Sequence, residues 1–167
     1  MKKIFSYSCS SQHRAFSVMT FWLVIMGIAI PAVAADEMLP GPIQAKIIRV
    51  IDGDTVEAEA NIWLGLRLMI NIRLADYDTP ELFRPRCAAE REKAQAARNW
   101  VAERLAAADP DAPASGPWPV ELMDIRHGKF AGRAVARIRL RDGTDLGQIL
   151  FDAGLARLSD TTADWCA

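Results

Sequence analysis

The sequence predicts an α+β fold, in which a small β-barrel carries packed helices. Three observations predict it. Residues 68–74 and 133–141 both alternate apolar and polar side chains, as strands with one buried face do. Residues 87–108, which lie between them, carry an apolar stripe at helical spacing. Short strands on both sides of a helix favour a small antiparallel barrel with appended helices.

Residues 1–34 are interpreted as a secretory signal peptide that is not part of the fold. The start of the chain is basic, residues 15–30 form an apolar run, and the small residues at 32–34 fit a cleavage site. The protein is therefore expected to be exported, either to the periplasm or into the medium, with no membrane contact after cleavage. The alternative is an uncleaved anchor, because the run is about as long as the shortest membrane span.

The first half of the mature chain is predicted to consist mainly of strands. Residues 35–44, which contain two prolines, are interpreted as a flexible leader, and the domain is expected to span residues 45–167. Gly65 is expected to lie in a hairpin turn. The predicted strands are residues 45–51, 55–60 and 68–74.

The second half is predicted to alternate between helices and strands. A polar loop over residues 75–86 precedes the helix at 87–108, whose expected apolar stripe is Ala89, Ala97, Trp100, Val101, Leu105 and Ala108. Strands follow at residues 118–124 and 133–141, joined by a basic loop. Asp145 and Gln148 then form a capping box for a short helix.

Two cysteines remain after the signal peptide, Cys87 and Cys166. Two cysteines in an exported protein are expected to pair, although two free thiols remain an alternative. The bridge would close a loop of about 80 residues, for which the chain-entropy estimate is roughly 4–5 kcal/mol. A zinc site is not expected, because the mature chain has no Cys-x-x-Cys pair and its one histidine is His127.

The charge balance argues against strong nonspecific binding to DNA. The chain has 20 basic and 21 acidic residues, and three basic but no acidic residues fall within positions 1–34, so the mature chain has a net charge of −4. Nucleic-acid binders are usually basic. Nucleic-acid binding would therefore need positive charge concentrated locally, and the arginine-rich region 126–141 is the candidate.

The first motif is "VIDGDTV", residues 50–56, where Asp52 and Asp54 flank a glycine in a run that otherwise resembles a strand. A turn is the simpler interpretation, because Asp-Gly pairs commonly join strands. The alternative is half of a metal site whose other ligands lie elsewhere in the chain. An EF-hand is excluded, because the required glycine and the distal glutamate are missing.

The second motif is "DTPE", residues 78–81. Pro80 fixes its own φ and biases Thr79 toward an extended conformation, which would hold the surrounding oxygens in a set geometry. Asp54 and Asp78 could then share one hard cation, and oxygen ligands of this kind suit Ca²⁺ or Mg²⁺. Taken alone, the motif is also consistent with a helix N-cap followed by an early acid.

The order of these motifs resembles that of the staphylococcal nuclease family, whose members are also called thermonuclease-like proteins. The order is "IDGDTV", an arginine five residues before the aspartate of "DTPE", a helix, and then "GR" at the start of an arginine-bearing strand. The resemblance covers about residues 45–158. It implies an OB-type five-stranded β-barrel with two packed helices.

The resemblance also implies a calcium site. Asp54 and Asp78 would ligate Ca²⁺ directly, and the Thr79 carbonyl would join them. Asp52 would support this set without touching the ion.

The implied reaction is hydrolysis of phosphodiester bonds in DNA or RNA, with a single-stranded substrate, a 5′-hydroxyl and a 3′-phosphate as products, and a monomeric enzyme. Glu81 would position or deprotonate the attacking water. Arg73 and Arg133 would grip the phosphate, since guanidinium forks match phosphate oxygens. The alternatives remain that Arg73 pairs with a surface acid and that Arg133 belongs to a solvated strand face.

The sequence departs from the family pattern before the second arginine. The family has a run close to Asp-Lys-Tyr-Gly-Arg, and this chain has "GKFAGR" at residues 128–133. Lys129 and Phe130 remain candidates for substrate binding, because Phe130 can stack on a base although it has no hydroxyl for a phosphate. The chain also ends without the third helix of several family members, and a Cys87–Cys166 bridge is expected to replace some of its packing.

Two functions follow from the sequence. The first is an exported Ca²⁺-dependent nuclease, and all six matching positions needed for it are present. The alternative is a non-catalytic nuclease-like OB module that binds nucleic acid or a protein partner.

The signal-peptide interpretation predicts the N-terminus of the exported protein. Cleavage after the small residues at 32–34 would leave Ala35 as the first residue. Intact-mass measurement of the protein recovered from an exporting host should give the mass of residues 35–167. A mass that retains residues 15–30 would instead establish the anchor.

Overall fold

The computed structural model of the chain describes residues 37–162 and 164–167. The predicted signal peptide and the first two residues of the predicted leader lie outside the described residues. The described chain forms a closed barrel of five strands, two helices and a small two-stranded sheet, which is consistent with an α+β OB-like barrel. Within the described part of the chain, no helix is long and apolar enough to cross a membrane.

The barrel strands are joined in the order β1-β2-β3-β6-β5. Their bounds are Ile43–Val50 for β1, Thr55–Trp63 for β2, Leu66–Leu74 for β3, Trp118–His127 for β5 and Arg133–Arg139 for β6. The remaining elements are β4 (Tyr77–Asp78), α1 (Ala88–Ala108), α2 (Leu146–Asp152) and β7 (Arg157–Leu158).

The barrel was expected to be antiparallel, but β3 and β6 run parallel. The path of the chain between these two strands explains the difference. The chain leaves β3, passes through α1 and enters β5, which pairs with β6 antiparallel. This route returns β6 to the edge of β3 in the same direction, and the pairing places Asn71 beside Arg133.

The core lies inside the barrel and beneath the two helices. Ile47, Ile72 and Ile138 are completely buried, or nearly so, on three different strands. The predicted alternation of β6 is confirmed, because Ala134, Ala136, Ile138 and Leu140 are all buried. From the helices, the core receives Val101, Leu105, Leu146 and Leu150.

The apolar stripe predicted for α1 is partly wrong. Ala89 is exposed, whereas Glu90 is buried at the first inward position. One half of the capping box predicted for the short helix α2 is confirmed, because the Asp145 carboxylate accepts the backbone N–H of Gln148 at 3.1 Å. The Gln148 side chain instead accepts from the Tyr77 hydroxyl and donates to Asp152. Gly154, with φ of 71°, follows this helix in the left-handed conformation that favours glycine.

The β2–β3 hairpin is longer than the sequence predicted. Its strands continue to Trp63 and restart at Leu66, and Gly65 lies at the turn with φ of 76°. Leu68 was expected to share a core face with Ile72, yet it is exposed. The pairing of β1 with β2 ends at Ala60 and that of β6 with β3 ends at Asn71, so Leu68 lies beyond the closed barrel.

The leader joins the barrel earlier than expected. Strand β1 begins at Ile43, two residues ahead of the predicted start. Before that, Leu39 exchanges two backbone hydrogen bonds of 2.8 Å with Ile125. The chain therefore reaches the barrel alongside the end of β5.

The C-terminal segment is held against α1 and β4. The predicted disulfide is confirmed, since Cys87 and Cys166 are bonded, and Cys87 is also the N-cap of α1. Lys93 donates a hydrogen bond of 2.8 Å to the carbonyl of Trp165, whose buried ring lies 4.2 Å from the Arg157 guanidinium. In the small sheet, β7 pairs with β4, so this segment also supports Asp78.

Removing the disulfide should destabilise the protein while the helix cap survives. The Cys87→Ser/Cys166→Ser variant keeps a side chain that caps helices well. Loss of the cross-link should lower the free energy of unfolding in urea by roughly 2–4 kcal/mol. A reductant should produce the same shift in the wild type and none in the variant. A wild-type midpoint that does not respond to the reductant would contradict the prediction.

Candidate functional site

The candidate site begins at the tight connection between β1 and β2. The backbone N–H groups of Ile51 and Asp52 both donate to the carbonyl of Thr55, at 2.9 and 3.1 Å. A Cβ on Gly53 would lie only 2.8 Å from Thr79 Oγ1 and 2.9 Å from Ala97 Cβ. The turn and the candidate site, which were the two interpretations of this motif, therefore coincide. The absence of a side chain at Gly53 lets the turn pack closely against the "DTPE" segment.

Asp54 is buried, and both of its carboxylate oxygens accept hydrogen bonds. It is 4% exposed, and Asp54 Oδ1 accepts hydrogen bonds from Arg73 Nη1 at 2.8 Å and from Thr55 Oγ1 at 2.9 Å. Asp54 Oδ2 accepts the backbone N–H of Thr79 at 3.0 Å. Two sequence segments that lie 25 residues apart are thus joined through one carboxylate.

Arg73 joins the two predicted halves of the site. While Nη1 of Arg73 bonds Asp54, its Nη2 donates to Oδ1 of Asp78. Both carboxylates therefore bond the same guanidinium, each through a different Nη atom. The alternative that Arg73 pairs with a surface acid is not what the structure shows, because one partner, Asp54, is buried and both partners are the predicted metal ligands.

The ionised form of Asp52 is disfavoured by its surroundings. Burial first, and then the neighbouring Asp54 carboxylate, raise the pKa of Asp52 to about 7. One of its oxygens, Oδ1, accepts the backbone N–H of Asp54 at 3.2 Å. Asp52 thus helps to fix the turn, and its ionised form adds to an already acidic cluster.

These side chains line a pocket of about 290 Å³. The acids in its wall outnumber the basic residues by five to two, so the pocket attracts cations. Its lining consists of Asp52, Asp54, Arg73, Asp78, Thr79, Pro80, Glu81, Arg86, Glu90, Thr161 and Trp165.

Glu81 lines the pocket but does not join the pair of aspartates. Its Oε1 accepts the backbone N–H of Phe83 at 3.0 Å, and the residue is exposed. Among the residues that the structure describes, no three His, Cys, Asp or Glu side chains are grouped closely enough to hold a metal. Of the three acids expected to converge, the structure brings together Asp54 and Asp78, while Glu81 lies at the rim.

The donor set nevertheless fits a hard cation. Asp54 and Asp78 supply carboxylate oxygens, and the Thr79 backbone carbonyl follows Asp78 directly in the sequence. Ca²⁺ prefers six to eight oxygen ligands, of which carboxylates, carbonyls and water are the usual sources. In this structure the Arg73 guanidinium provides the positive charge beside Asp54 and Asp78 that a bound cation would otherwise provide.

Arg133 lies near Arg73 but outside the acidic pocket. It opens β6 beside Asn71, and Arg73 pairs with Val135, so the two arginines lie diagonally on neighbouring strands. On β6, the buried Ala134 lies between Arg133 and Val135, so these two residues face outward. Arg73, which pairs with Val135, lies on the same outward face. The buried Nε of Arg133 has no hydrogen-bond partner among the described residues, and its guanidinium lies 4.8 Å from the Phe130 ring centroid.

The loop "GKFAGR" has a structural reason for its first glycine. Gly128 donates a backbone hydrogen bond of 2.9 Å to the carbonyl of Arg133, and a Cβ on Gly128 would lie 2.4 Å from that oxygen. An aspartate could not occupy this position in this loop conformation. Lys129 and Phe130 are both exposed at the loop's tip, away from the pocket lining.

The predicted basic patch is mostly neutralised by neighbouring acids. Of its arginines, four form ion pairs at 4 Å or less, and only Arg133 and Lys129 have no carboxylate partner among residues 37–162 and 164–167. The ion pairs are Arg126 with Asp76, Arg137 with Asp124 and Asp145, Arg139 with Glu121, and Arg141 with Asp109. The strand face is therefore not a strongly positive surface.

Sequence reasoning missed four residues that line the pocket: Arg86, Glu90, Thr161 and Trp165. Glu90 is buried on α1 and accepts the backbone N–H of Arg86 at 2.6 Å. The sequence signal that could have identified Glu90 is its position at helical spacing from the apolar residues Ala94 and Ala97. An acid at such a buried position needs a partner. Thr161 and Trp165 reach the pocket only through the disulfide-bonded C-terminal segment, which has no periodic pattern.

No family model matches the chain, and no curated protein matches it.

Replacing Asp52 with asparagine should stabilise the metal-free protein. The asparagine side chain would keep an oxygen for the Asp54 N–H but would remove the repulsion between two partly buried carboxylates. At pH 8 in a chelator, the free energy of unfolding should rise by about 1 kcal/mol after allowance for solvent screening. Glu57→Gln, which breaks an exposed ion pair with Arg49, is the matched control and should not stabilise. A destabilised Asp52→Asn variant would refute the repulsion.

Proposed function

We propose that this protein is an exported Ca²⁺-dependent nuclease of the staphylococcal nuclease type, which hydrolyses phosphodiester bonds in single-stranded DNA or RNA to leave 3′-phosphate ends. The observation that carries the proposal is the position of Arg73 between Asp54 and Asp78. One acid from each quoted motif meets the guanidinium of Arg73, which lies at the end of β3. Such a set suits metal-assisted phosphate chemistry, in which a bound cation polarises a phosphoryl oxygen.

Asp54, Asp78 and the Thr79 carbonyl would hold the calcium ion. Asp54 is suited to this because its orientation is already fixed by Thr55 and by the Thr79 N–H. When bound, Ca²⁺ would offset the charge of the anionic substrate and polarise a phosphoryl oxygen. Asp52 and Glu90 would add negative charge behind these ligands.

Arg73 and Arg133 would bind the scissile phosphate. With its two carboxylates ligated, Arg73 would turn its Nη groups to a phosphate oxygen. Arg133 has donor capacity to spare, because its buried Nε has no hydrogen-bond partner among the described residues. Fixed donors of this kind stabilise the charge that develops in the transition state, usually the largest catalytic contribution.

Glu81 would position the attacking water or remove its proton. Its carboxylate lies at the rim of the pocket and accepts the exposed Phe83 N–H. It can therefore turn toward the phosphate without breaking a buried contact. General bases of this kind typically contribute about 10²–10⁴-fold to the rate.

One observation favours the alternative, a non-catalytic module that binds nucleic acid or a protein. Arg73 already bonds both Asp54 and Asp78, so each carboxylate has a cationic partner without any metal ion. An arginine with this purely structural role would leave a stable barrel with no need for calcium.

A cleavage assay with single-stranded DNA tests the proposal. The mature protein should cut in Ca²⁺ and stop when a chelator is added. Glu81→Gln should lower the rate by about 10²–10⁴-fold, because the base is lost. Arg73→Ala should lower it by about 10²–10³-fold, because a charge-stabilising donor is lost.

Two matched variants control for unrelated changes of charge. Arg49→Ala and Glu59→Gln alter exposed ion pairs on the outer face of the barrel and should leave the rate unchanged. Cutting that ignores both the chelator and the two site variants would refute the assignment. Binding without cutting by the wild type would favour the module.

A further inference from the structure

The end of the β2–β3 hairpin is apolar and almost unsupported. The hairpin tip, residues 62–69, contains six exposed large apolar side chains, and Trp63 and Leu64 are 75% and 93% exposed. The six are Ile62, Trp63, Leu64, Leu66, Leu68 and Met69. Soluble proteins rarely leave such a continuous patch in water unless it has a partner.

The tip projects because its neighbouring strands stop short. Strand β1 pairs with β2 only as far as Ala60, and β6 pairs with β3 only as far as Asn71. Beyond these residues, the hairpin strands pair only with each other. No strand or helix of the described chain therefore flanks the tip.

The tip is apolar on one face and at its turn, and the other face carries Arg67 beside Met69. Leu66 and Leu68 lie on the face that continues the barrel interior, and Met69 lies on the opposite face. Leu64 stands at the turn between the strands. Segments that lie in a membrane interface typically combine an apolar face with a basic polar face. An apolar face and turn with an arginine on the other side therefore favour a lipid surface as the partner.

The dimensions of the tip fit a shallow insertion. Leu68 lies three positions along the chain from Gly65 at the turn, which is about 10 Å at the usual rise of a strand. Interfacial protein segments typically bury their apolar face about 5–10 Å into the boundary between headgroups and acyl chains. Trp63 suits that boundary. Arg67 lies within the tip and pairs with Glu59, and its long exposed side chain can extend toward the headgroup layer.

The chain enters the domain at this same end of the barrel. Ala45, near the start of β1, pairs with Ala60, and the preceding Leu39 pairs with Ile125. In the alternative that the apolar run at residues 15–30 is kept as an anchor, it would end 13 residues before β1, a distance of at most about 45 Å when fully extended. The candidate site, with Asp54 and Arg73, lies at the opposite ends of β2 and β3.

Charge also favours this orientation. The loop of residues 128–132 precedes β6 at the same end of the barrel, and its exposed Lys129 pairs with no carboxylate among the described residues. Basic side chains near an inserted apolar segment attract anionic headgroups. We propose that the hairpin tip docks on an anionic lipid surface and holds the domain with its candidate site turned away from the membrane.

Quenching of tryptophan fluorescence by lipids tests the proposal. The full chain, with whatever N-terminus the exporting host leaves on it, is mixed with vesicles of phosphatidylcholine and phosphatidylglycerol whose acyl chains are brominated. Subtracting the signal of Trp63→Phe isolates the emission of Trp63 from that of the other tryptophans. This emission should be quenched, and the quenching should weaken in vesicles without phosphatidylglycerol.

Variants complete the test. Leu64→Glu/Leu66→Glu should abolish the quenching of Trp63, while the circular dichroism of this variant stays that of the wild type. Phe83→Glu, which changes an exposed aromatic residue next to the candidate site, should leave the quenching intact. Unquenched Trp63 emission in the wild type would overturn the proposal. A wild-type dimer that Leu64→Glu/Leu66→Glu makes monomeric, without lipid quenching, would also overturn it and would identify a second copy as the occupant.

Discussion

The candidate site depends on one interaction, the bonding of Asp54 and Asp78 to opposite ends of the Arg73 guanidinium. Without it, two partly buried carboxylates would face each other, and burying unpaired charge is costly. With it, the turn after β1, the end of β3 and the short strand β4 are held at one point. The same arrangement assembles the proposed cation site and keeps it stable before any cation arrives.

Much of the chain serves to hold this point in place. Gly53 allows the turn to approach Thr79, and β7 pairs with β4 behind Asp78. The disulfide from Cys87 to Cys166 ties the C-terminal segment, with its buried Trp165, to the wall of the pocket. A segment with no periodic sequence pattern thus supplies packing that a further helix could supply, and the proposed hydrolase would depend on an oxidising compartment for its shape.

The sequence predicted local features well where one physical rule decides the outcome. The alternation on β6, the Asp145 cap and the pairing of the cysteines all occur in the structure. Prediction failed where the outcome depends on distant partners. Alternation placed Leu68 in the core, but neighbouring strands end before reaching it. The arginines of β6 were expected to form a basic patch, but acids from other segments pair with them.

The most direct test of this account is a calorimetric titration of Ca²⁺ into the purified protein. The account predicts one binding site per chain, lost in Asp54→Asn. Asp76→Asn is the matched control, because Asp76 lies two residues from Asp78 but pairs with Arg126 instead, and asparagine tolerates its left-handed backbone. Absence of binding in the wild type, or equal binding by Asp54→Asn and Asp76→Asn, would contradict the claim that Asp54 and Asp78 share a cation.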